Sequence, residues 1–276
     1  MPELPEVETV VRVLRPKLRG LTIRDVRLVG KPLRRRWQAA WSRRVRGVRI
    51  VDVTRRGKWI VIQLDNSSSL LAHLGMTGRL GLVASKDALA LHTHIVFKFR
   101  SGSRELRFHD PRRFGSLSWH SEADLAHFLN GERLGPEPWD LASTEFFQQL
   151  RRTQRCLKAV LLDQRVVAGV GNIYADEALF EAQLAPRQLG CRTTAEEADR
   201  LRLAIVTVFR RAIDKNGSTI RNFFYGDDES GGYQNEFRVY QQTAKPCPRC
   251  RTPIKQIRLA GRATHYCPKC QRRSGQ

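Results

Sequence analysis

No run of apolar residues in this chain approaches the length of a bilayer span, and no apolar stretch follows its N-terminus. The expectation is a soluble, cytoplasmic protein with no membrane partner. Acidic residues are scarce where basic ones are dense. Between Gly20 and Lys58 only Asp25 and Asp52 oppose a series of arginines, and Lys245 to Gln276 holds no acid at all. Isolated cysteine is scarce too: of six cysteines only Cys156 and Cys191 stand alone, and the other four form two tight pairs. In a reducing compartment such pairs point to a metal and lone thiols to buried side chains, not to disulfides. The sequence has no internal repeat and no low-complexity tract.

What is abundant is positive charge. Lysine and arginine total 49 against 27 acids, a formal net charge of +22. So large an excess points to a polyanion partner, nucleic acid first and an anionic membrane surface second. Hydrophobic residues make up 41% of the chain, an ordinary globular share, and 276 residues fit two domains with a small appendage.

The first six residues, Met1-Pro2-Glu3-Leu4-Pro5-Glu6, carry the most chemistry for their length. Pro2 has a small side chain, so removal of Met1 is expected to leave it as a terminal secondary amine. An α-amino pKa near ~8 keeps a useful fraction neutral at physiological pH. Attack on an aldehyde carbon then yields an iminium that draws electrons from the adjacent carbons, which suits elimination. Glu3 beside it can move protons. The same residues also read as a stiff, acidic start to a helix.

Val7, Val10, Val11, Leu14 and Leu18 recur at helical spacing up to Gly20. Alternating stretches follow at 22–28, 45–53, 58–64, 70–74, 95–99 and 105–108. Many short strands separated by turn signals indicate an antiparallel sandwich or barrel. A short helix near 121–129 closes a first domain over residues 1–130. Residues 131–150, with Gly135-Pro136-Glu137-Pro138, read as a linker. Helices are expected at 144–152, 155–163, 173–183 and 193–215, with a second domain over 151–240. The polar, glycine-rich stretch 225–233 has the length of a lid, and 241–276 is the appendage.

That appendage holds Cys247-Pro248-Arg249-Cys250 and, sixteen residues on, Cys267-Pro268-Lys269-Cys270. Four thiolates in this spacing can surround one zinc tetrahedrally, which leaves the ion no open position and makes it structural. Ala168-Gly169-Val170-Gly171-Asn172 joins two helical stretches. No strand precedes it, so it is not a dinucleotide fingerprint, but a glycine turn at a helix start can present amides to a phosphate. Two loops at strand ends, His73 to Gly78 and Asp110 to Gly115, offer Met76 and Phe114 as wedges between bases and an arginine to fill a vacated space. Lys58 starts an apolar strand and matters catalytically only where it meets Pro2.

Together these segments resemble the bacterial formamidopyrimidine-DNA glycosylase family, which removes oxidised purines such as 8-oxoguanine. The match spans the chain through the Met-Pro-Glu-Leu-Pro-Glu-Val-Glu opening, Arg56-Gly57-Lys58, His73 to Met76, Asp110 to Phe114, Leu134 to Pro138, Gly169 to Tyr174, Gly261 to Thr264 and the four cysteines. The resemblance implies an α+β multidomain fold: an N-terminal antiparallel β-sandwich, a helical helix-two-turns-helix domain and a C-terminal zinc-finger β-hairpin, with DNA in the cleft between domains. It implies that Pro2 attacks C1′ and forms a Schiff base, that Glu3 is the acid/base, and that Lys58 and Arg262 assist β- and δ-elimination. Met76, Arg112 and Phe114 would fill the gap left by a flipped nucleotide. His92, Arg112, Lys158, Asn172, Tyr174 and Arg262 would hold the DNA backbone. Residues 218–233 would close over the extruded base. Relatives often carry a lysine cluster where this chain has Arg151-Arg152-Thr153-Gln154-Arg155, and Arg152 is proposed as the phosphate contact there. The implied cofactor is one structural Zn(2+) per chain and the partner is double-stranded DNA containing oxidised bases, bound by a monomer. An endonuclease VIII-like enzyme for oxidised pyrimidines is the alternative. A non-catalytic zinc-finger protein would leave Pro2, Glu3 and Lys58 without a task.

Overall fold

The computed structural model describes residues 2–130, 134–219 and 230–272. The opening prolines begin a helix, α1 (Leu4–Leu18), with Pro5 in its first turn. Glu3 is the N-cap: its side chain accepts from the Glu6 amide and the Glu6 side chain accepts from the Glu3 amide. Val7, Val10, Val11, Leu14 and Leu18 are all buried, so the spacing seen in sequence is the packed face. Gly20, at φ +86°, turns the chain out of the helix and donates its amide to Ile50 O.

Two four-stranded antiparallel sheets follow. The first takes β1 (Ile23–Leu28), β6 (Thr93–Phe99), β7 (Arg104–His109) and β5 (Arg79–Ala84) in that spatial order. The second takes β2 (Ile50–Arg56), β3 (Trp59–Leu64), β4 (Ser68–His73) and β8 (Ser116–Ser121). Ile23, Phe97, Leu106 and Phe108 from one sheet and Ile50, Val53, Ile60, Ile62 and Leu117 from the other join α1 in a single apolar core. This is the expected sandwich. Three elements were not anticipated: α2 (Ala39–Val45), β5 and β8. Trp37 and Trp41 pin the α2 region into the core, edge to face with each other, and Trp37 meets Phe97 likewise. The stretch 45–53 is not one strand: Val45 ends α2, Gly47 at φ +80° reverses the chain, and β2 starts at Ile50. In β8, Ser118 and His120 hide from an apolar pattern because they are buried together and hydrogen-bonded. Helix α3 (Glu122–Asn130) ends this part.

The chain folds as two compact units, Met1–Gly131 with Asn216–Gly232 and Glu132–Lys215 with Tyr233–Gln276. The second unit holds α4 (Ser143–Arg151), α5 (Leu157–Leu161), α6 (Asn172–Glu181), α7 (Ala195–Asp214) and the hairpin β9 (Lys255–Leu259) and β10 (Arg262–Tyr266). Helix α4 matches the helix expected at 144–152 and overlaps the stretch read as linker; Phe146 and Leu150 bury one of its faces. Thr194 caps α7 with Glu197 in a reciprocal box. Between α5 and α6 the chain makes two turns. Gln164 staples them: its Oε1 accepts from the Gly169 amide and its Nε2 donates to Val170 O. Gly169 sits at φ +90°, where a side chain would be strained.

Candidate functional site

Helix α1 lies along β2, and two ion pairs fix its register. Arg15 pairs with Asp52 at 2.7 Å and Glu8 with Arg55 at 2.9 Å. Seven helical residues rise about 10.5 Å and three strand residues about 10 Å, so helix and strand run antiparallel in step. Five more residues back from Glu8 reach Glu3, a rise of about 7.5 Å, or a little over two strand residues beyond Arg55. That is the level of Gly57 and Lys58. Arg55 also donates to Gly57 O, tying this turn to the helix start. Pro2, Glu3 and Lys58 therefore lie at one level, at one end of the second sheet, and all three are buried.

The wedge loops leave from the same end. Trp59, next to Lys58, pairs with His73, and His73 pairs with Ser116. The loop after β4 carries Met76 and the loop before β8 carries Arg112 and Phe114. Met76 is 38% and Phe114 49% exposed, and the Arg112 guanidinium lies 4.7 Å over the Phe114 ring. His92, exposed at φ +69°, accepts the Asp110 amide through its carbonyl. Burial, and then the charge of Lys58, push His73 down to about 4. Its neutral ring accepts the Gly75 amide at Nδ1.

Glu6 is a site residue that sequence reasoning passed over as a helix-start acid. It is buried; one oxygen accepts from the Glu3 amide and the other from the amide and hydroxyl of Ser218. The residue beside the candidate nucleophile is thus held by a segment more than two hundred residues away. Most of the lid-like stretch lies outside the described residues. At its edges, the Gly231 amide donates to Thr219 Oγ1.

In the second unit, Asn172 opens α6 and donates from Nδ2 to Ala263 O on β10, while its Oδ1 is buried with no hydrogen-bond partner. Arg262 is exposed at the start of β10, just past a two-residue turn, Ala260-Gly261, with both φ positive. Arg152 is exposed at the end of α4. Two of the residues expected to hold the DNA backbone are buried. Lys158 is 0% exposed; its ammonium donates to Asp176 at 2.6 Å and to Asn172 O at 2.8 Å, so it is committed to an internal ion pair and does not face a phosphate. Tyr174 is buried too, stacked on Tyr233 and edge-on to Phe209. Its ring belongs to the core. The other oxygen of Asp176 accepts from the His265 amide and faces the His265 ring. Glu177 next to it accepts three backbone amides, from Arg238, Val239 and Tyr240, and burial raises its pKa.

The four cysteine sulfurs lie within 4.8 Å of one another. Pairs such as Cys250–Cys267 at 3.4 Å and Cys247–Cys270 at 3.9 Å bracket the ~3.8 Å edge of a tetrahedron with ~2.3 Å zinc–sulfur bonds. They form a closed site for one structural zinc. Val239, Cys247, Ile254 and Cys267 pack with Phe180 of α6, and Arg249 covers that ring, so the finger is seated on the helix.

Residues 1–117 match the formamidopyrimidine-DNA glycosylase N-terminal domain, 134–224 its H2TH domain, and 244–273 the zinc finger found in FPG and IleRS. The chain is 41% identical over 276 residues to the formamidopyrimidine-DNA glycosylase of Geobacillus kaustophilus, covering 99% of this chain and 100% of that one. It superposes with a TM-score of 0.92 on a mutant Lactococcus lactis FPG in complex with a Fapy-dG containing DNA, at 32% identity over 98% of this chain and 100% of that one. For the MutM (FPG) protein from Thermus thermophilus the TM-score is 0.87, at 42% identity over 98% of each chain. A glycosylase sandwich, H2TH helices and a finger in this order define a DNA-repair glycosylase. The chain belongs to the formamidopyrimidine-DNA glycosylase family.

Proposed function

We infer that this protein is a bifunctional DNA glycosylase and AP lyase that excises oxidised purines, 8-oxoguanine and formamidopyrimidines, from duplex DNA. The observation that carries the reading is the register of α1 on β2, which brings Pro2 and Glu3 to the level of Lys58. With Met1 removed, the Pro2 nitrogen attacks C1′ and the bond to the damaged base breaks. Glu3 protonates the sugar ring oxygen as the ring opens, which leaves an iminium between C1′ and the proline nitrogen. The iminium acidifies C2′. Loss of that proton expels the 3′ phosphate, with Lys58 assisting, and a second elimination expels the 5′ phosphate, with Arg262 assisting. A secondary amine suits this path because its iminium is charged without a further proton.

Met76, Arg112 and Phe114 fill the space of the extruded nucleotide, and His92, Arg152, Asn172 and Arg262 are the proposed backbone contacts. Unstacking costs a few kcal/mol, less at a lesion, and the wedge offsets it. Zinc supplies only the fold of the finger. No helix among the described residues is long and apolar enough to cross a membrane. The enzyme acts as a monomer on chromosomal DNA in the bacterial cytoplasm.

Borohydride trapping on duplexes carrying 8-oxoguanine or an oxidised pyrimidine tests the reading, with the adduct mapped by mass. An adduct at Pro2 on the purine duplex is expected. Adducts on the pyrimidine duplex alone would transfer the protein to the endonuclease VIII-like class, and retention of Met1 in the active protein would end the mechanism.

A further inference from the structure

Asp110 is 0% exposed and is used up by the two wedge loops. Its Oδ1 accepts from Thr77 Oγ1 at 2.5 Å and from the Arg112 amide at 3.2 Å. Its Oδ2 accepts from the Gly115 amide at 2.7 Å. Thr77 Oγ1 in turn accepts from the Arg112 amide at 3.3 Å. One carboxylate therefore holds the residue after Met76, the residue that stacks on Phe114, and the residue after Phe114. The loops also touch through their backbones. A Cβ on Gly75, which sits at φ +60°, would lie 2.5 Å from the Gly115 nitrogen and 2.6 Å from the Phe114 carbonyl carbon. Behind the carboxylate, the Asp110 carbonyl faces His94 Nε2 at 2.9 Å, which anchors the lock to β6.

We propose that Thr77 and Asp110 are positioning residues that fasten the Met76 loop to the Arg112–Phe114 loop, and that this lock governs extrusion of a base-bearing nucleotide while leaving the chemistry at the sugar alone. The proposal rests on the functional reading above. Its physical basis is stiffness. A wedge that separates stacked bases works only where its own loops yield less than the stack does. A buried carboxylate with three donors is hard to distort, because each lost bond leaves a desolvated oxygen behind. An abasic nucleotide has no base to unstack, so cleavage at a pre-formed abasic site reports the Pro2 chemistry without the wedge.

The test is single-turnover kinetics of the full-length zinc-loaded protein on two duplexes, one with 8-oxoguanine and one with a pre-formed abasic site. Thr77→Val keeps the shape and removes the hydroxyl; Thr77→Ser restores it. Thr77→Val is expected to slow 8-oxoguanine excision roughly tenfold, the scale of one lost hydrogen bond in the lock. Cleavage of the abasic duplex should stay at the wild-type rate, and Thr77→Ser should recover excision. Asp110→Asn, with a donor where an acceptor is needed, should show the same split more strongly, and Thr77→Val decides the matter if Asp110→Asn does not fold. Equal loss on both duplexes, or no loss on either, would overturn the lock. A wild-type protein inert on both duplexes would overturn the functional reading and the lock with it; an active wild type with an indifferent Thr77→Val overturns the lock alone.

Discussion

Lys58 and His73 sit at the same end of the second sheet, and burial, followed by the charge of Lys58, disfavours protonation of His73. Folding holds His73 neutral down to about 4, whereas the free side chain titrates at 6.5. Between those values the unfolded chain binds the extra proton, so stability is full above the upper value and falls as pH drops toward the lower one. The denaturation midpoint should decline over that interval, and His73→Asn, which keeps an acceptor for the Gly75 amide, should flatten the decline. An identical slope in the variant would remove His73 from the account. Residues like these mark the limit of what a sequence tells. The Pro2-Glu3 opening and the four cysteines announce their chemistry by type and spacing. Lys158 does not: the resemblance implies a backbone contact there, and only folding brings Asp176 against it. Asp110 and Glu6 were silent for a related reason, since each also needs a donor from a distant segment, Thr77 and Ser218.

Helix α6 is the element that binds the second unit together. Its Asp176 reaches back to Lys158 on α5 and forward to His265 on β10, and its Glu177 gathers the amides of 238–240 before the finger begins. The hairpin carrying Arg262 is therefore held in two ways, by zinc inside the finger and by α6 from outside. Cys250→Ser should release the metal and weaken DNA binding while the sandwich stays folded. Asp176→Ala should keep the metal yet lose the seating, at a cost of about 3–5 kcal/mol for breaking the buried ion pair from one side. A zinc-release assay beside denaturant melts separates the two; metal loss from Asp176→Ala would refute the division of labour. At this scale the sequence was legible where one face is apolar, as in α1, α7 and the central strands. It was opaque where a strand carries Gly81 or a buried Ser118–His120 pair, because such patterns do not alternate until a partner satisfies them.

At the scale of the molecule, the positive charge is an instruction about partners. Duplex binding should weaken with a log–log salt slope of about −0.9 per phosphate neutralised, and Arg152→Gln should reduce the slope by about that one step. Fluorescence anisotropy across a salt series measures both, and a flat response would exclude phosphate-dominated binding. Composition foretold this partner, and strand count narrowed the first unit to a sandwich or a barrel. The division of the chain was not foretold, because residues 216–232 join the N-terminal unit after the helices have been built. Glu6 waits on Ser218 to complete its hydrogen bonds. The consequence is genetic. No single stop codon or protease cut yields the first unit whole, because its two segments flank residues 132–215. A gene split between residues 131 and 216 must be complemented by a fragment that brings the later segment back.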